Sequence, residues 1–99
     1  MREKQFVKTS KTNNASYFYK NAWEDYTSWQ KEDKRIVKKI NELIKDIQRT
    51  PFEGKGKPEP LKYDLAGLWS RRIDLEHRLV YKYEEKHIYI YSCRYHYDK

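Results

Sequence analysis

Six apolar residues in the middle of the chain share one face of a helical repeat, and this pattern limits the possible folds more than any other. They lie at positions i, i+1, i+4, i+7, i+8 and i+11: Ile36, Val37, Ile40, Leu43, Ile44 and Ile47. The spacing predicts an amphipathic helix of about five turns, whose apolar face must pack against a second layer. Asp33 can cap its first turn, and Pro51 disfavours helical backbone at Thr50, where the helix should end. Its opposite face is basic, which is typical of a solvated helix and also suits a nucleic-acid contact.

Three segments downstream are rich in β-branched and aromatic residues and are separated by short polar breaks. Their sequences are LWSRRID, HRLVYKYEE and HIYIYSCRYHY. They predict an antiparallel sheet, with the last two segments forming a hairpin across residues 84–86. If that hairpin has a three-residue loop, Arg78 lies opposite Ser92.

The residues before the amphipathic helix supply a strand and a further helix. ASYFY at 15–19 predicts the strand, and Asn21 with Glu24 resembles a capping box that opens a helix ending near Lys31. Aromatic residues follow one side of that helix: Trp23, Tyr26 and Trp29. The predicted fold class is therefore α+β, with an N-terminal strand and two helices packed on a mainly antiparallel twisted sheet.

A chain of 99 residues is expected to form one domain, here residues 15–99 after a polar basic tail at 1–14. This length excludes a Rossmann pair or a barrel enzyme. The 22 basic against 15 acidic residues give a net charge of +7, which favours anionic partners such as nucleic acid. No run of apolar residues is long enough for a membrane span or a secretion signal, so a cytoplasmic location is expected.

Common catalytic templates are missing from the sequence. The single Cys93 and the three histidines have no zinc spacing, and no phosphate-binding loop motif is present, so we expect neither metal nor cofactor. Cys93 lies in a predicted strand and is read as a core residue. Glu59 stands between Pro58 and Pro60, a stiff loop that suits a positioned base, although a glutamate in solvent is the simpler interpretation.

Arginines and histidines of the predicted sheet are the remaining candidates. Alternation along the strands would bring Arg78, Arg94 and His96 to one region. Arg71 is interpreted as an edge charge or as a partner of Asp74 or Glu76. Three more expectations concern histidines and tyrosines: His77 supports the sheet, His87 is exposed, and each tyrosine packs in the core or an interface rather than stacking on a base.

Five ordered blocks resemble the YoeB family of the RelE superfamily of bacterial toxin–antitoxin ribonucleases. The resemblance runs from about Ala15 to Tyr97. Its blocks are DKRIVKKINELIKD at 33–46, RTPFEGKGKPEPLK at 49–62, LWSRRI at 68–73, EHRLVY at 76–81 and CRYHY at 93–97. It implies a RelE-like microbial RNase fold and an endoribonuclease, or mRNA interferase, that cuts messenger RNA in the ribosomal A site and stops translation.

The resemblance also implies site residues and partners. The general base would be Glu59, the arginine facing the transition state Arg78 and the general acid His96. Positions that hold the RNA phosphate or complete the site would be Lys62, Arg72 and Tyr97. The products would be a 2′,3′-cyclic or 3′-phosphate and a 5′-hydroxyl, formed without metal. A YefM-type antitoxin, the ribosome and a second copy in a homodimer are the implied partners.

Two features depart from the family pattern. Asp98 and Lys99 follow Tyr97, whereas the family's chains end at the histidine–tyrosine pair, and the tail at 1–14 has no counterpart. An alternative function from another class is a non-catalytic RNA- or ribosome-binding module that blocks translation by occupancy. Its surface would be the tyrosines and basic strands. A transcriptional repressor is less favoured, because no helix-turn-helix signature is visible.

Overall fold

The helical pattern around residue 40 forms the longest helix of the structure. The computed structural model describes residues 6–8 and 16–95. Its elements in chain order are β1 (Phe6–Lys8), β2 (Ser16–Tyr19), α1 (Lys20–Glu32), α2 (Lys34–Arg49), β3 (Glu59–Pro60), a 3-10 turn (Tyr63–Leu65), β4 (Trp69–Arg72), β5 (Arg78–Glu84) and β6 (His87–Ser92).

One sheet contains all six of these strands, in the order β1-β2-β6-β5-β4-β3. Four of its five pairings are antiparallel, and β2 with β6 is parallel. The two helices connect β2 to the second half of the sheet and pack on one of its faces. The predicted α+β class, with two helices on a mainly antiparallel sheet, is confirmed.

The core lies between the helices and that face of the sheet. Helix α2 contributes Ile40, Leu43 and Ile47, all fully buried, as its apolar spacing predicts. The sheet contributes alternate residues of its central strands, among them Phe18, Leu79, Tyr81, Ile88 and Ile90. Trp29 of α1 is buried beside them, and Trp23 and Tyr26 pack against the same cluster. None of the helices in the described ranges is long and apolar enough to cross a membrane.

The predicted start and end of α2 are confirmed. The Asp33 side chain accepts a hydrogen bond from the backbone N–H of Arg35 at 3.0 Å, which satisfies one of the free donors in the first turn. Hydrogen bonds from Arg35 also hold the pKa of the Asp33 carboxyl below its usual value. Thr50 follows the last turn in extended backbone, as expected of a residue before a proline.

Two expectations for the N-terminal region are wrong. Tyr19 is the N-cap of α1 and makes no side-chain cap, so Asn21 and Glu24 form no capping box. Asn21 lies inside the first turn and donates instead to the backbone oxygen of Tyr91 at 3.2 Å, which ties α1 to β6. The tail is also not wholly outside the fold, because Phe6–Lys8 pairs with β2 as an added antiparallel strand.

The hairpin of β5 and β6 is present, but its register differs from the expected one. Its loop is the two-residue turn Glu85-Lys86, with positive φ of 52° and 69° at these positions. Glu84 pairs with His87, and a bulge between Val80 and Tyr81 places Ser92 opposite Val80 rather than Arg78. Sequence spacing alone could not predict this bulge, because a bulge inserts one residue into a strand without changing the local pattern of residue types.

Candidate active site

The candidate base and the candidate transition-state arginine meet at the β3 edge of the sheet. The side chain of Arg78 donates to the carboxylate of Glu59 across 3.0 Å, although the two lie on different strands. Strand β4 stands between those strands and sets the geometry, because Glu59 is the register partner of Ser70, while Arg72 is that of Arg78. Glu59 is 65% exposed and Arg78 20% exposed, so the pair opens to solvent.

Ser70 orients the guanidinium of Arg78 and was not identified from the sequence. Its buried hydroxyl accepts a hydrogen bond from Nε of Arg78 at 3.2 Å, while an outer nitrogen of the same group reaches Glu59. The guanidinium is thereby fixed at two points. Only the strand register could have revealed this role, because serine in a strand has no distinguishing motif.

Arg71 anchors the loop that leads to Glu59, so its interpretation as an edge charge or a partner of Asp74 or Glu76 is wrong. Alternation on β4 turns it to the helix face, where it is fully buried. It donates to Asp46 of α2 at 2.7 Å, and its second nitrogen reaches the backbone oxygens of Thr50 and Glu53. One guanidinium therefore joins the end of α2 to the following loop.

Asp46 completes this anchor from the helix side. The Asp46 carboxylate accepts the backbone N–H of Lys55 at 2.8 Å, which is the main reason that the pKa of this carboxyl falls to about 2. The side chains of Arg49 and Arg71 lower the pKa further, against the effect of burial. Asp46 therefore stays ionised throughout the neutral range and holds the loop with a full charge.

Gly56 allows the loop to lie directly against β4. Its φ of +81° is strained for other residues, and an added Cβ would come within 3.0 Å of the Cβ of Arg71. The backbone oxygen of Gly56 accepts the N–H of Arg72 at 2.7 Å. The loop is thus fixed to the strand only three residues before Glu59.

The remaining predicted site residues fall into two groups. Lys62 and Arg72 are exposed, and Arg72 shares the sheet face of Arg78. His96 and Tyr97 lie outside the described residues. The structure thus brings Glu59, Arg78 and Arg72 together.

Arg94 does not join them, contrary to expectation. Its guanidinium lies 4.0 Å from the centre of the Trp29 ring and donates to Ser28 and Glu32, all on α1. These contacts turn the side chain away from the sheet and give it a structural role.

The other expectations for cysteine and tyrosine residues are partly confirmed. Cys93 is a buried core residue, and burial raises the pKa of its thiol. Tyr81 lies in the core, but Tyr17 and Tyr89 lie on the face without helices and stack with centroids 5.3 Å apart. The two rings also contact His87, so this pair belongs to an aromatic cluster on that face of the sheet.

A metal or cofactor site would need a cluster of suitable side chains. Within residues 6–8 and 16–95, no group of three His, Cys, Asp or Glu side chains could hold a metal ion. The chemistry available at the Glu59 edge is that of one carboxylate, one fixed guanidinium and the exposed cation of Arg72.

Known proteins resemble the chain over most of its length. The family model for the YoeB-like toxin of bacterial type II toxin–antitoxin systems matches residues 18–97. Toxin YoeB of Escherichia coli strain K12 is 68% identical over 76 residues, which cover 77% of this chain and 90% of that protein. A YoeB–YefM complex from Staphylococcus aureus contains a chain that is 54% identical, with a TM-score of 0.79 and coverage of 83% and 95%. The YoeB dimer of the same organism, at 55% identity, has the same TM-score and coverage.

Proposed function

The chain belongs to the family of YoeB-like toxins of bacterial type II toxin–antitoxin systems, and on this basis we propose that it is an endoribonuclease. In this proposal it cuts messenger RNA in the A site of the ribosome and so stops translation. The reaction is general acid–base catalysis without metal. Its products are an RNA with a 2′,3′-cyclic or 3′-phosphate and an RNA with a 5′-hydroxyl.

One observation carries the proposal: the Glu59 carboxylate and the Arg78 guanidinium touch at 3.0 Å on an open edge of the sheet. RNA cleavage by its own 2′-hydroxyl needs a base beside that hydroxyl and a cation beside the phosphate it attacks. A carboxylate in contact with a guanidinium offers both groups to neighbouring atoms of one nucleotide. Ser70 fixes the guanidinium, so little reorganisation is needed when charge develops.

The proposed reaction steps give each predicted site residue a role. Glu59 takes the 2′-hydroxyl proton as the oxygen attacks the adjacent phosphorus, and Arg78 stabilises the negative charge of the pentavalent phosphate. The bond from phosphorus to the 5′-oxygen breaks, and His96 gives its proton to that leaving oxygen. Lys62 and Arg72 hold the RNA phosphates, and Tyr97 completes the site.

The proposed partners follow from the relatives. We expect a YefM-type antitoxin to neutralise this chain, since a relative of 54% identity was solved as a YoeB–YefM complex. An acidic segment that folds onto the basic site would suit the net charge of +7. A homodimer is proposed from the solved YoeB dimer. Because the proposed substrate is messenger RNA bound to ribosomes, we expect the protein to act in the cytoplasm.

The test uses the purified full chain, programmed ribosomes and a defined message, with RNA 5′ ends mapped after brief incubation. New discrete ends that carry a 5′-hydroxyl support the proposal. Glu59→Gln, Arg78→Ala and His96→Gln should each lower the cleavage rate by on the order of tenfold or more. Ordinary rates in all three folded variants would contradict the mechanism.

Matched controls separate chemistry from charge. Glu53→Gln removes a carboxylate from the preceding loop, where the described residues contact the backbone oxygen of Glu53, so its rate should stay at the wild-type level. Arg78→Lys keeps the charge but loses the fork that joins Ser70 and Glu59, so it should remain slow.

The alternative, a non-catalytic binder of RNA or ribosomes, is favoured by the stacked Tyr17 and Tyr89 on the sheet face without helices. The same assay decides between the two. A stalled but intact message in the presence of wild-type protein would favour the binder and overturn the endoribonuclease.

A further inference from the structure

Tyr95 adopts a backbone conformation that non-glycine residues rarely take. Its φ is +62°, in the left-handed region, where a Cβ is unfavourable. The chain continues from Tyr95 directly to His96, the general acid of the proposed reaction. A strained residue at this position requires contacts that hold it, and such contacts often serve a site.

Two adjacent residues, His77 and Arg78, form hydrogen bonds with the backbone of Tyr95. The N–H of Tyr95 donates to Nδ1 of His77 at 2.7 Å, and the oxygen of Tyr95 accepts the backbone N–H of Arg78 at 3.2 Å. The second of these residues carries the guanidinium that reaches Glu59. His77 and Arg78 thus connect the last described residue to the candidate active site.

The imidazole of His77 is itself held in place. The ring is buried and lies edge-on against Trp29, with centroids 4.8 Å apart. Asp74 accepts the backbone N–H of His77 at 2.7 Å and fixes the turn before β5. Because Nδ1 accepts from Tyr95, the proton of the neutral ring must be on Nε2, which faces Glu76 at 3.6 Å.

Helix α1 holds the preceding two residues. Nε1 of Trp29 donates to the oxygen of Cys93 at 2.9 Å, and Asp25 accepts the N–H of Cys93 at 3.1 Å. Arg94 is bound to Ser28 and Glu32. The hydrogen bond to His77 therefore anchors the backbone at the last described residue before His96.

We propose that His77 is a positioning residue for the general acid: its Nδ1 fixes the amide of Tyr95, the residue directly before His96. The inference rests on the proposed function. His77 touches no substrate in this account and acts through Tyr95. Loss of the acceptor should impair protonation of the leaving oxygen while leaving RNA binding unchanged.

Matched substitutions isolate the acceptor. His77→Asn places a carbonyl oxygen close to the position of Nδ1 and can still accept from Tyr95, whereas His77→Leu has a similar shape and no acceptor. His77→Gln keeps the amide but moves its oxygen one bond further from the backbone. Should the leucine variant fail to fold, the asparagine and glutamine variants make the same comparison. Far-ultraviolet circular dichroism and thermal unfolding establish that each variant is folded.

The readout is a leaving-group test on ribosomes programmed with two messages. One message has the ordinary phosphodiester, and the other has sulfur in place of the 5′ bridging oxygen at the cleaved bond. A thiolate leaves without a proton, so loss of the general acid no longer matters for the second message. Positions of the base and the guanidinium matter for both messages.

On the ordinary message we expect kcat of the leucine and glutamine variants to fall about tenfold or more with KM unchanged, and the asparagine variant to stay within about threefold of wild type. On the sulfur message the leucine, glutamine and His96→Gln proteins should recover, while Glu59→Gln should not. Equal losses on both messages, or no loss on either, would overturn the role of His77. Absence of cleavage by the wild-type protein would instead overturn the proposed function.

Discussion

Arg71 and Asp46 form an ion pair at 2.7 Å with both side chains buried, joining β4 to the last turn of α2. Both groups have further partners, among them backbone atoms of the loop that follows the helix. The pair therefore holds the loop after α2 against two buried charges and is not a surface contact. A buried charge that loses its partner is costly, which makes the pair sensitive to substitution.

Arg71→Met should lower the free energy of unfolding by about 3–5 kcal/mol, because it removes the buried cation beside the Asp46 carboxylate and the donor to three loop carbonyls. Urea unfolding followed by tryptophan fluorescence measures the change. The matched control is Arg49→Met, which removes a second arginine from the same carboxylate. Arg49 is 71% exposed, so its loss should cost less than about 1 kcal/mol. Similar costs for the two variants would contradict the importance of burial.

Asp25→Asn should stabilise the protein at pH 7 and not at low pH. Burial raises the pKa of the Asp25 carboxyl, so the folded protein holds this proton more tightly than the unfolded chain. The ionised carboxylate is therefore unfavourable above its folded pKa, and the penalty disappears below its ordinary value of 3.8. Asparagine keeps the oxygen that accepts from Cys93 and carries no charge. Thermal unfolding of both proteins from pH 3 to pH 7 tests this, and a constant difference across that range would refute it.

Arg72→Thr should raise stability slightly and weaken RNA binding. Arg72 and Arg78 are direct partners across β4 and β5, and like charges in that position repel. Relief of the repulsion should add about 0.2–1 kcal/mol to the free energy of unfolding. Loss of one phosphate contact should reduce the slope of log affinity against log salt by about 1. Filter binding to a short RNA at several salt concentrations measures the slope. Arg72→Lys is the control and should leave both quantities close to wild type.

Replacement of the β5–β6 turn by Asn-Gly should stabilise the hairpin. Glu85 and Lys86 both have positive φ, the geometry of a turn that asparagine and glycine adopt with little strain. Glu85→Asn combined with Lys86→Gly should raise the free energy of unfolding by about 1 kcal/mol. Lys86→Ala alone keeps a Cβ at the strained position and should bring no such gain. A neutral result for the double variant in urea unfolding would count against a strained turn.

The fold was predictable because its patterns are local. The spacing from Ile36 to Ile47 specifies both the length of α2 and its buried face, and Asp33 and Pro51 specify its ends. Residue alternation likewise identifies β5 and β6. Pairing of Phe6–Lys8 with β2 was not predictable, because three residues without a turn signal have no pattern of their own.

The candidate site was predictable only in part, because its geometry depends on register. The stiff loop around Glu59 identified this residue as a candidate. The contact of Glu59 with Arg78, however, requires β4 to lie between their strands in one specific alignment. The bulge near Val80 changed which residues face each other, and it left no trace in the sequence. Arg71 was misassigned for a related reason: a charged residue in a strand is expected at an edge, and only the structure reveals the five acceptors around it.

The shortness of β3 has a consequence for how molecules of this protein associate. This border strand has two residues, and the second, Pro60, offers no backbone N–H. An extended segment of another polypeptide would find too few donors there to continue the sheet. The border beside Glu59 is thus a poor template for strand addition, which disfavours aggregation of the protein through this edge.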